Sequence, residues 1–453
     1  MQDSFLLYKE RMFGYNGDME PIIFHVDVNS AFLSWEAVSR LKHQAGATDL
    51  RTIPAAVGGD VKKRRGIILA RSLPAKQYGV RTGETVAEAR KKCPELVLVP
   101  PSYGVYERAS GELMRLLKEY SPRVEPFSID EAFMDMTGME LLLGTPQKAA
   151  ENLREEIRTR LGFTVNIGIS SNKLLAKMAS DFEKPDRVHT LFPEEIQEKM
   201  WCLPVRDLFL VGPSTERKLN RLGIRTIGEL ACTDVEVLRA NLKKHGEIIW
   251  NFANGRDASL VEEEPQENKG YGNSTTIAFD VTDRETACQV LLSLTETVAA
   301  RLRKHGKKAE LVSVSIRDTH MHTVSHQMIL PSATDITSEL YLAVRKLFDE
   351  LWNGEPIRHL GVHTGRLGDG EGRQLSLFDR TDYGKLERLD AALDRIRMRH
   401  GRDAVMRASF LGTPLDHMAG KMRAERKERN NGEQKQKKEQ EEEAERHRAA
   451  EDI

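Results

Sequence analysis

Ser128-Ile129-Asp130-Glu131-Ala132 sets two adjacent acidic residues in an otherwise apolar or small-residue run, after Pro126 and before Gly138. Alternation through Phe127, Ile129 and Phe133 predicts a strand turning at its tip. A carboxylate facing a core is costly unless a cation meets it, so the pair points to a metal. About a hundred residues earlier, Ile22-Ile23-Phe24-His25-Val26-Asp27-Val28-Asn29 is a second apolar run, ending on one carboxylate. A single Asp or Glu at a strand end is more often a turn former. It is the combination that counts, because three carboxylates on two strand ends could hold two divalent ions. Mg²⁺ takes oxygen ligands, commonly one or two carboxylates together with substrate phosphates. Two such ions activate an attacking hydroxyl and steady a leaving pyrophosphate in phosphoryl transfer.

At these residues the chain resembles the Y-family DNA polymerases, specifically the bacterial DinB or DNA polymerase IV branch, from about Ile22 to about Leu411. Val26-Asp27-Val28-Asn29-Ser30-Ala31-Phe32 is similar to the first metal motif and Ser128 to Gly138 to the second. Ser170 to Pro185, with Asn172-Lys173-Leu174-Leu175-Ala176-Lys177 and Ser180-Asp181-Phe182-Glu183-Lys184, resembles the long palm signature. The resemblance implies that Asp27, Asp130 and Glu131 are catalytic and hold two Mg²⁺ ions, with the Val28 carbonyl as a further ligand. Family members often have Asp at the place of Asn29. Phe32 matches an aromatic beneath the sugar of the incoming nucleotide, a steric barrier to a ribose 2′-hydroxyl; by composition alone it could equally be a core Phe. The triphosphate contacts fall on Lys184 in the palm and on the fingers segment, with Ser72 and Lys76. There Leu73 stands where the family has Tyr, and Lys76 where it has Arg, keeping the charge without bidentate geometry. Ile67 and Leu69 would roof the nascent base pair.

Length bounds the organisation at about three domains. The net charge of −1 announces no polyanion partner, so a nucleic-acid surface must come from local clusters such as Lys62-Lys63-Arg64-Arg65 and the basic run from Arg301 to Lys308. Cys93, Cys202, Cys232 and Cys288 lie far apart, which argues against zinc and against a disulfide framework. No apolar run approaches a membrane span, and Met1-Gln2-Asp3-Ser4 lacks a signal peptide's basic start, so a soluble, cytoplasmic protein is expected.

The elements that must position the carboxylates alternate as in an α+β fold. Helices are expected over Ala31 to Lys42, Tyr106 to Lys118 and Pro146 to Arg160, and strands over 55–59, 66–70 and Thr164 to Ile169. After about residue 190 the pattern turns helical. Val211-Gly212-Pro213 opens a helix and Leu222-Gly223-Ile224 closes it. This is either an ordinary helical hairpin or, by resemblance, a helix-hairpin-helix that places Val211, Gly212 and Gly223 at a DNA phosphate. A βα module follows, with strands at Ser274 to Phe279, Glu310 to Arg317 and His322 to Leu330.

The fold class expected is α+β multidomain, a right-hand polymerase with palm, fingers, helical thumb and βα little finger. Its divisions are an extension (1–19), palm (20–30 and 100–190), fingers (31–99), thumb (191–262), linker (263–270) and little finger (271–368). A clamp-binding segment with a C-terminal helix (369–417) and a charged tail (418–453) complete it. The tail has almost no apolar residues and reads as disordered or as a solvated single helix. Gln374-Leu375-Ser376-Leu377-Phe378 resembles the bacterial sliding-clamp pentapeptide, with Gln374, Leu375, Leu377 and Phe378 as its anchors.

Taken together, the resemblance implies a low-fidelity translesion polymerase. It would use primer-template DNA and deoxynucleoside triphosphates, work as a monomer recruited by the sliding clamp, and carry no proofreading domain, since no stretch is left to form one. A non-catalytic DNA-binding relative would be expected to lack the carboxylates. A palm-domain cyclase would need neither hairpin nor pentapeptide. Fold alone does not separate these, because function lives in the site.

Overall fold

The structure is a computed structural model that describes residues 20–59, 66–262, 267–369, 373, 381–411, 413, 415, 417 and 418. The N-terminal extension, the basic turn at 62–65, the clamp-like pentapeptide and the charged tail past Met418 lie outside the described residues. The chain divides into two compact units, with the boundary between Gln266 and Glu267.

In the first unit, β1 (Ile23–Val28) is followed by α1 (Ala31–His43), β2 (Ala55–Gly58), β3 (Ile68–Arg71), α2 (Leu73–Gln77), α3 (Val86–Lys92) and β4 (Val97–Val99). Next come α4 (Tyr103–Tyr120), β5 (Val124–Pro126), β6 (Glu131–Asp135), α5 (Pro146–Glu156), β7 (Val165–Ser170), α6 (Lys173–Ser180) and β8 (Val188–Thr190). The main sheet has the order β5-β6-β1-β7-β8. Its central strand β1 is antiparallel to both neighbours and buried along its whole length. A separate three-stranded sheet, β3-β2-β4, has its own small core around Ala56, Ile68, Val86 and Ala89.

Side chains alternate across a strand, so β1 has two distinct faces. Phe24, Val26 and Val28 join Ala132, Met134, Val165, Ile167 and Ile169 in the main core, against Leu113, Leu117 and Leu153 of α4 and α5. Ile23, His25 and Asp27 point the other way, and α6 lies across that face. Gly168, paired with His25 on β7, makes the close approach possible. A Cβ there would lie 1.9 Å from the Ala176 carbonyl oxygen and 2.5 Å from the Ser180 nitrogen.

Helix α6 turns its opposite side, Leu174, Leu175 and Met178, into a second core. That core belongs to a helical segment of α7 (Pro213–Arg221), α8 (Ile227–Cys232), α9 (Val235–Leu242) and α10 (Lys244–Ala253). Thr226 and Glu229 form a capping box that starts α8, satisfying backbone donors at both positions.

The second unit is β9 (Gly270–Val281), α11 (Arg284–Lys304), β10 (Lys308–Asp318), β11 (Thr323–Thr334), α12 (Thr337–Leu351), β12 (Ile357–Gly368) and α13 (Tyr383–His400). Its antiparallel sheet runs β11-β10-β12-β9, with the core shared between one face and α11 and α12. Helix α13 is fastened to α11 by charge. Arg303 meets Asp390 at 3.2 Å and Asp394 at 2.6 Å, and Arg397 meets the buried Glu296 at 2.7 Å.

Two local expectations are refined. The turn expected at the tip of the acidic strand takes in Ser128, Ile129 and Asp130, since the ladder begins at Glu131. The Ser128 hydroxyl accepts from the Asp130 and Glu131 nitrogens at 3.2 and 3.1 Å, and this local bonding closes a turn in preference to extending the strand. Strand β12 was not anticipated as a strand. Gly361, His363 and Gly365 alternate with Leu360, Val362 and Thr364 and dilute the β signal that the pairing with β9 and β10 overrides.

Gly168→Ala should force α6 away from the sheet, costing on the order of 3 kcal/mol. A urea midpoint within error of the parent's would show that α6 tolerates the methyl group without moving.

Candidate active site

The strand register brings Asp27 and Glu131 directly opposite each other on β1 and β6. Asp130 sits one residue earlier, on the turn, where its carboxylate accepts from the Ser128 hydroxyl at 2.6 Å. Its own carbonyl accepts from the Val28 nitrogen at 3.1 Å, which joins the turn to the end of β1. All three residues therefore lie at one end of the sheet.

Each of the two opposed carboxylates has an ammonium partner. Glu131 accepts from Lys177 of α6 at 2.6 Å, and Asp27 is ion-paired with Lys184, which also meets Asp181 at 2.8 Å. Lys177 lies between the rings of Phe127 and Phe209, at 5.2 and 5.4 Å from their centroids. Behind Glu131, the fully buried His25 places Nε2 3.5 Å from Oε2 and Nδ1 2.7 Å from the Ser180 hydroxyl.

Burial is the largest influence on both carboxyls, and the outcome differs between them. It pushes Asp27 up to about 6, outweighing the attraction of Lys184. At Glu131 burial also acts upward, but the neighbouring His25 ring together with the hydrogen bond and charge of Lys177 overcomes it and brings the group down to about 2. Burial lowers His25, which favours its neutral form. Among the described residues no three Asp, Glu, His or Cys side chains converge closely enough to enclose a cation.

Lys177, His25 and Ser180 were not singled out from sequence. Two signals were available: Lys173 and Lys177 are four apart on the otherwise apolar α6, and His25 alternates with Asp27 and must share its face.

The other expected site residues are placed as follows. Phe32, in the first turn of α1, stacks on Tyr106 of α4 at 4.7 Å and 12°, and Tyr106 is itself fully buried with its hydroxyl donating to Glu36 at 3.1 Å. Phe32 is only partly buried, so it is braced from behind by the core. Ser72 is buried, donates to the Ile53 carbonyl at 2.7 Å, and accepts from the Ala55 and Ala75 nitrogens. Its hydroxyl is thus the cap of α2. Lys76 and Leu73 are exposed on that helix. Ile67 is exposed, while Leu69 packs partly against the main core. Val211 is buried in the helical core; Gly212 is the N-cap of α7, and Gly223 takes a left-handed φ of 85° in the turn toward α8.

The sequence profile of the impB/mucB/samB family matches residues 26–181, and that of its C-terminal domain matches 268–377. A third profile, the DNA polymerase-iota thumb domain, matches 206–257. A protein named DNA polymerase IV from Clostridium acetobutylicum is 46% identical over 397 residues, covering 87% of this chain and 99% of that protein. Its namesake from Acetivibrio thermocellus is 40% identical over 398 residues, covering 87% and 98%. The chain belongs to the Y-family DNA polymerases, in the DNA polymerase IV branch.

A DNA polymerase IV 2 from Bacillus subtilis is 37% identical over 401 residues, 86% of this chain and 95% of that one. A solved Y-family polymerase chimera superimposes with a TM-score of 0.64 at 20% identity, over 76% of this chain and 99% of its own, which supports the fold. As a Y-family member the chain is a DNA-directed DNA polymerase of the translesion type and depends on divalent metal. Its fold is the right-hand polymerase fold with palm, fingers, helical thumb and little finger. Among the described residues no helix is long and apolar enough to cross a membrane.

Because Asp27 is raised in the fold from an ordinary 3.8, its protonated form stabilises the native state at low pH, and that contribution is lost as pH rises through about 6. In chelator-treated protein, the stability of the parent relative to Asp27→Asn should hold steady below about pH 4. It should fall by on the order of 3 kcal/mol once pH passes about 6. Adding Mg²⁺ should restore the parent alone. A difference independent of pH, followed by urea denaturation, would mean that Asp27 titrates alike in the folded and the unfolded chain.

Proposed function

We propose that this polymerase extends primers by a two-Mg²⁺ mechanism, with Asp27, Asp130, Glu131 and the Val28 carbonyl as the ligands. The observation that carries the reading is the register that sets Asp27 opposite Glu131, with Asp130 on the adjoining turn. The donor set is wholly oxygen, which suits Mg²⁺. Positive charge already faces two of these carboxylates as Lys177 and Lys184. When bound, the ions activate the primer 3′-hydroxyl and neutralise the triphosphate. The chain's own part is placement. Lys177 and His25 hold Glu131, Ser128 holds Asp130, and Lys184, which pairs with Asp27 and Asp181, would offer its charge to the incoming triphosphate.

Phe32, stacked on Tyr106, excludes a ribose 2′-hydroxyl. Lys76 reaches the triphosphate from the exposed face of α2. The backbone at Val211, Gly212 and Gly223 meets a DNA phosphate. The domain limits are those set out from sequence. The enzyme acts in the cytoplasm as a monomer without proofreading, and Gln374, Leu375, Leu377 and Phe378 dock it on the sliding clamp.

Primer extension with Mg²⁺ tests the core of this, on intact and abasic templates. The parent should extend both, and Glu131→Ala should lose incorporation while still binding the duplex. Phe32→Ala should extend but admit ribonucleotides, lowering the deoxy-to-ribo ratio by about tenfold or more, the equivalent of ~1.4 kcal/mol. Normal extension by Glu131→Ala removes the metal assignment, and an unchanged ratio returns Phe32 to the core.

Leu377→Ala with Phe378→Ala should abolish stimulation by the clamp and leave extension of a short primer-template as in the parent. Unaltered clamp binding in titration would place recruitment elsewhere in the chain.

A further inference from the structure

Asn29 stands just past the end of β1, and its side chain is bonded to Asn166 and the Asp186 backbone. Its amide nitrogen donates to Asn166 Oδ1 at 3.1 Å, and its Oδ1 accepts from the Asp186 nitrogen at 2.9 Å. Asn166 is fully buried on β7, opposite Asp27. Its own amide nitrogen donates to the carbonyls of Ser180 and Glu183, at 3.1 and 2.8 Å, and its Oδ1 also accepts from the Arg187 nitrogen at 3.4 Å.

These partners fix both amides. Two carbonyls can only accept, so the Asn166 nitrogen must face them and its oxygen must face Asn29. Asn29 must then present its nitrogen to Asn166 and its oxygen to Asp186. A carboxylate at 29 would set two acceptors against each other in a buried place, where turning Asn166 over would forfeit both of its donor bonds.

The segment held in this way is the one that bears Lys184. Glu183 is tied on one side of it and Asp186 and Arg187 on the other. Asp186, at a left-handed φ of 60°, is further held by Arg154 at 2.8 Å. We infer that the Asn29–Asn166 amide pair is a positioning device for Lys184, setting how well the enzyme binds the triphosphate of the incoming nucleotide. This rests on the proposed role of Lys184. Neither amide touches the reacting atoms. The pair acts through the backbone on either side of the lysine.

The experiment is steady-state single-nucleotide incorporation by the full chain with Lys184→Ala, Asn29→Asp, Asn166→Ala and the double variant Asn29→Asp/Asn166→Ala. Melting temperatures are recorded for each. Asn29→Asp should raise KM for the deoxynucleotide by about tenfold and change kcat by less than about threefold, because ground-state positioning is what is lost. In the Asn166→Ala background, which has no oxygen to oppose the carboxylate, the same exchange should raise KM by no more than about twofold further. If Asn29→Asp does not fold, Asn29→Ala, which removes the tie without adding charge, should raise KM and be non-additive with Asn166→Ala.

An equal rise in KM in both backgrounds, or an effect confined to kcat, overturns the pairing. If Lys184→Ala raises KM while the asparagine variants leave it unchanged, the amide device falls and the reading of Lys184 stands. If Lys184→Ala leaves KM unchanged, that reading fails and takes the device with it.

Discussion

Two carboxylates held face to face across adjacent strands are the constraint on which this structure turns. Asp27 and Glu131 are fixed there by backbone pairing, on a face that α6 shields from water. Like charges in that setting repel more strongly than on a surface and need compensation. The fold supplies it from α6 and from the loop after it, as Lys177 and Lys184. Gly168 is what lets α6 come close enough to do so. The main sheet, the helix across it and the helical segment behind the helix thus form one stack, each layer placing the next.

The two compensations differ in kind. Lys177 is enclosed between Phe127 and Phe209, and its partner Glu131 is held well below the ordinary carboxylate range. Lys184 sits on a loop and is shared between Asp27 and Asp181, and Asp27 remains raised. Glu131 is thus braced in its charged form, whereas Asp27 is not. On the two-ion reading proposed above, the first would be the fixed ligand and the second the adjustable one.

Much of this was legible in the sequence, for reasons that differ by element. The apolar run ending in acid gave β1, because burial on both sides forces such a run to be apolar. The start and stop signals around Pro213–Arg221 gave α7 through ordinary capping chemistry. A turn at the tip of this strand was expected, but not that it takes in Ser128 to Asp130, because its side-chain bonding leaves no trace in hydrophobic alternation. Ser72 was singled out by its position in a motif, and the three backbone partners of its hydroxyl are ones that only the folded chain brings together. The Asn29–Asn166 pair spans 137 positions, a separation at which no local pattern can join two residues.

The central place of β1 also governs how a chain like this can change over generations. Pairing on both edges leaves no slack, and a shift of one residue exchanges the two faces of a strand. A single codon gained or lost within Ile23–Val28 would turn Val26 or Val28 toward Glu131 and drive the neighbouring carboxylate into the aliphatic layer with Met134 and Ile167. Such a lineage can exchange one amino acid for another here, but it cannot alter the spacing. Length variation is confined to connections such as the one between His43 and Ala55, where no ladder keeps count.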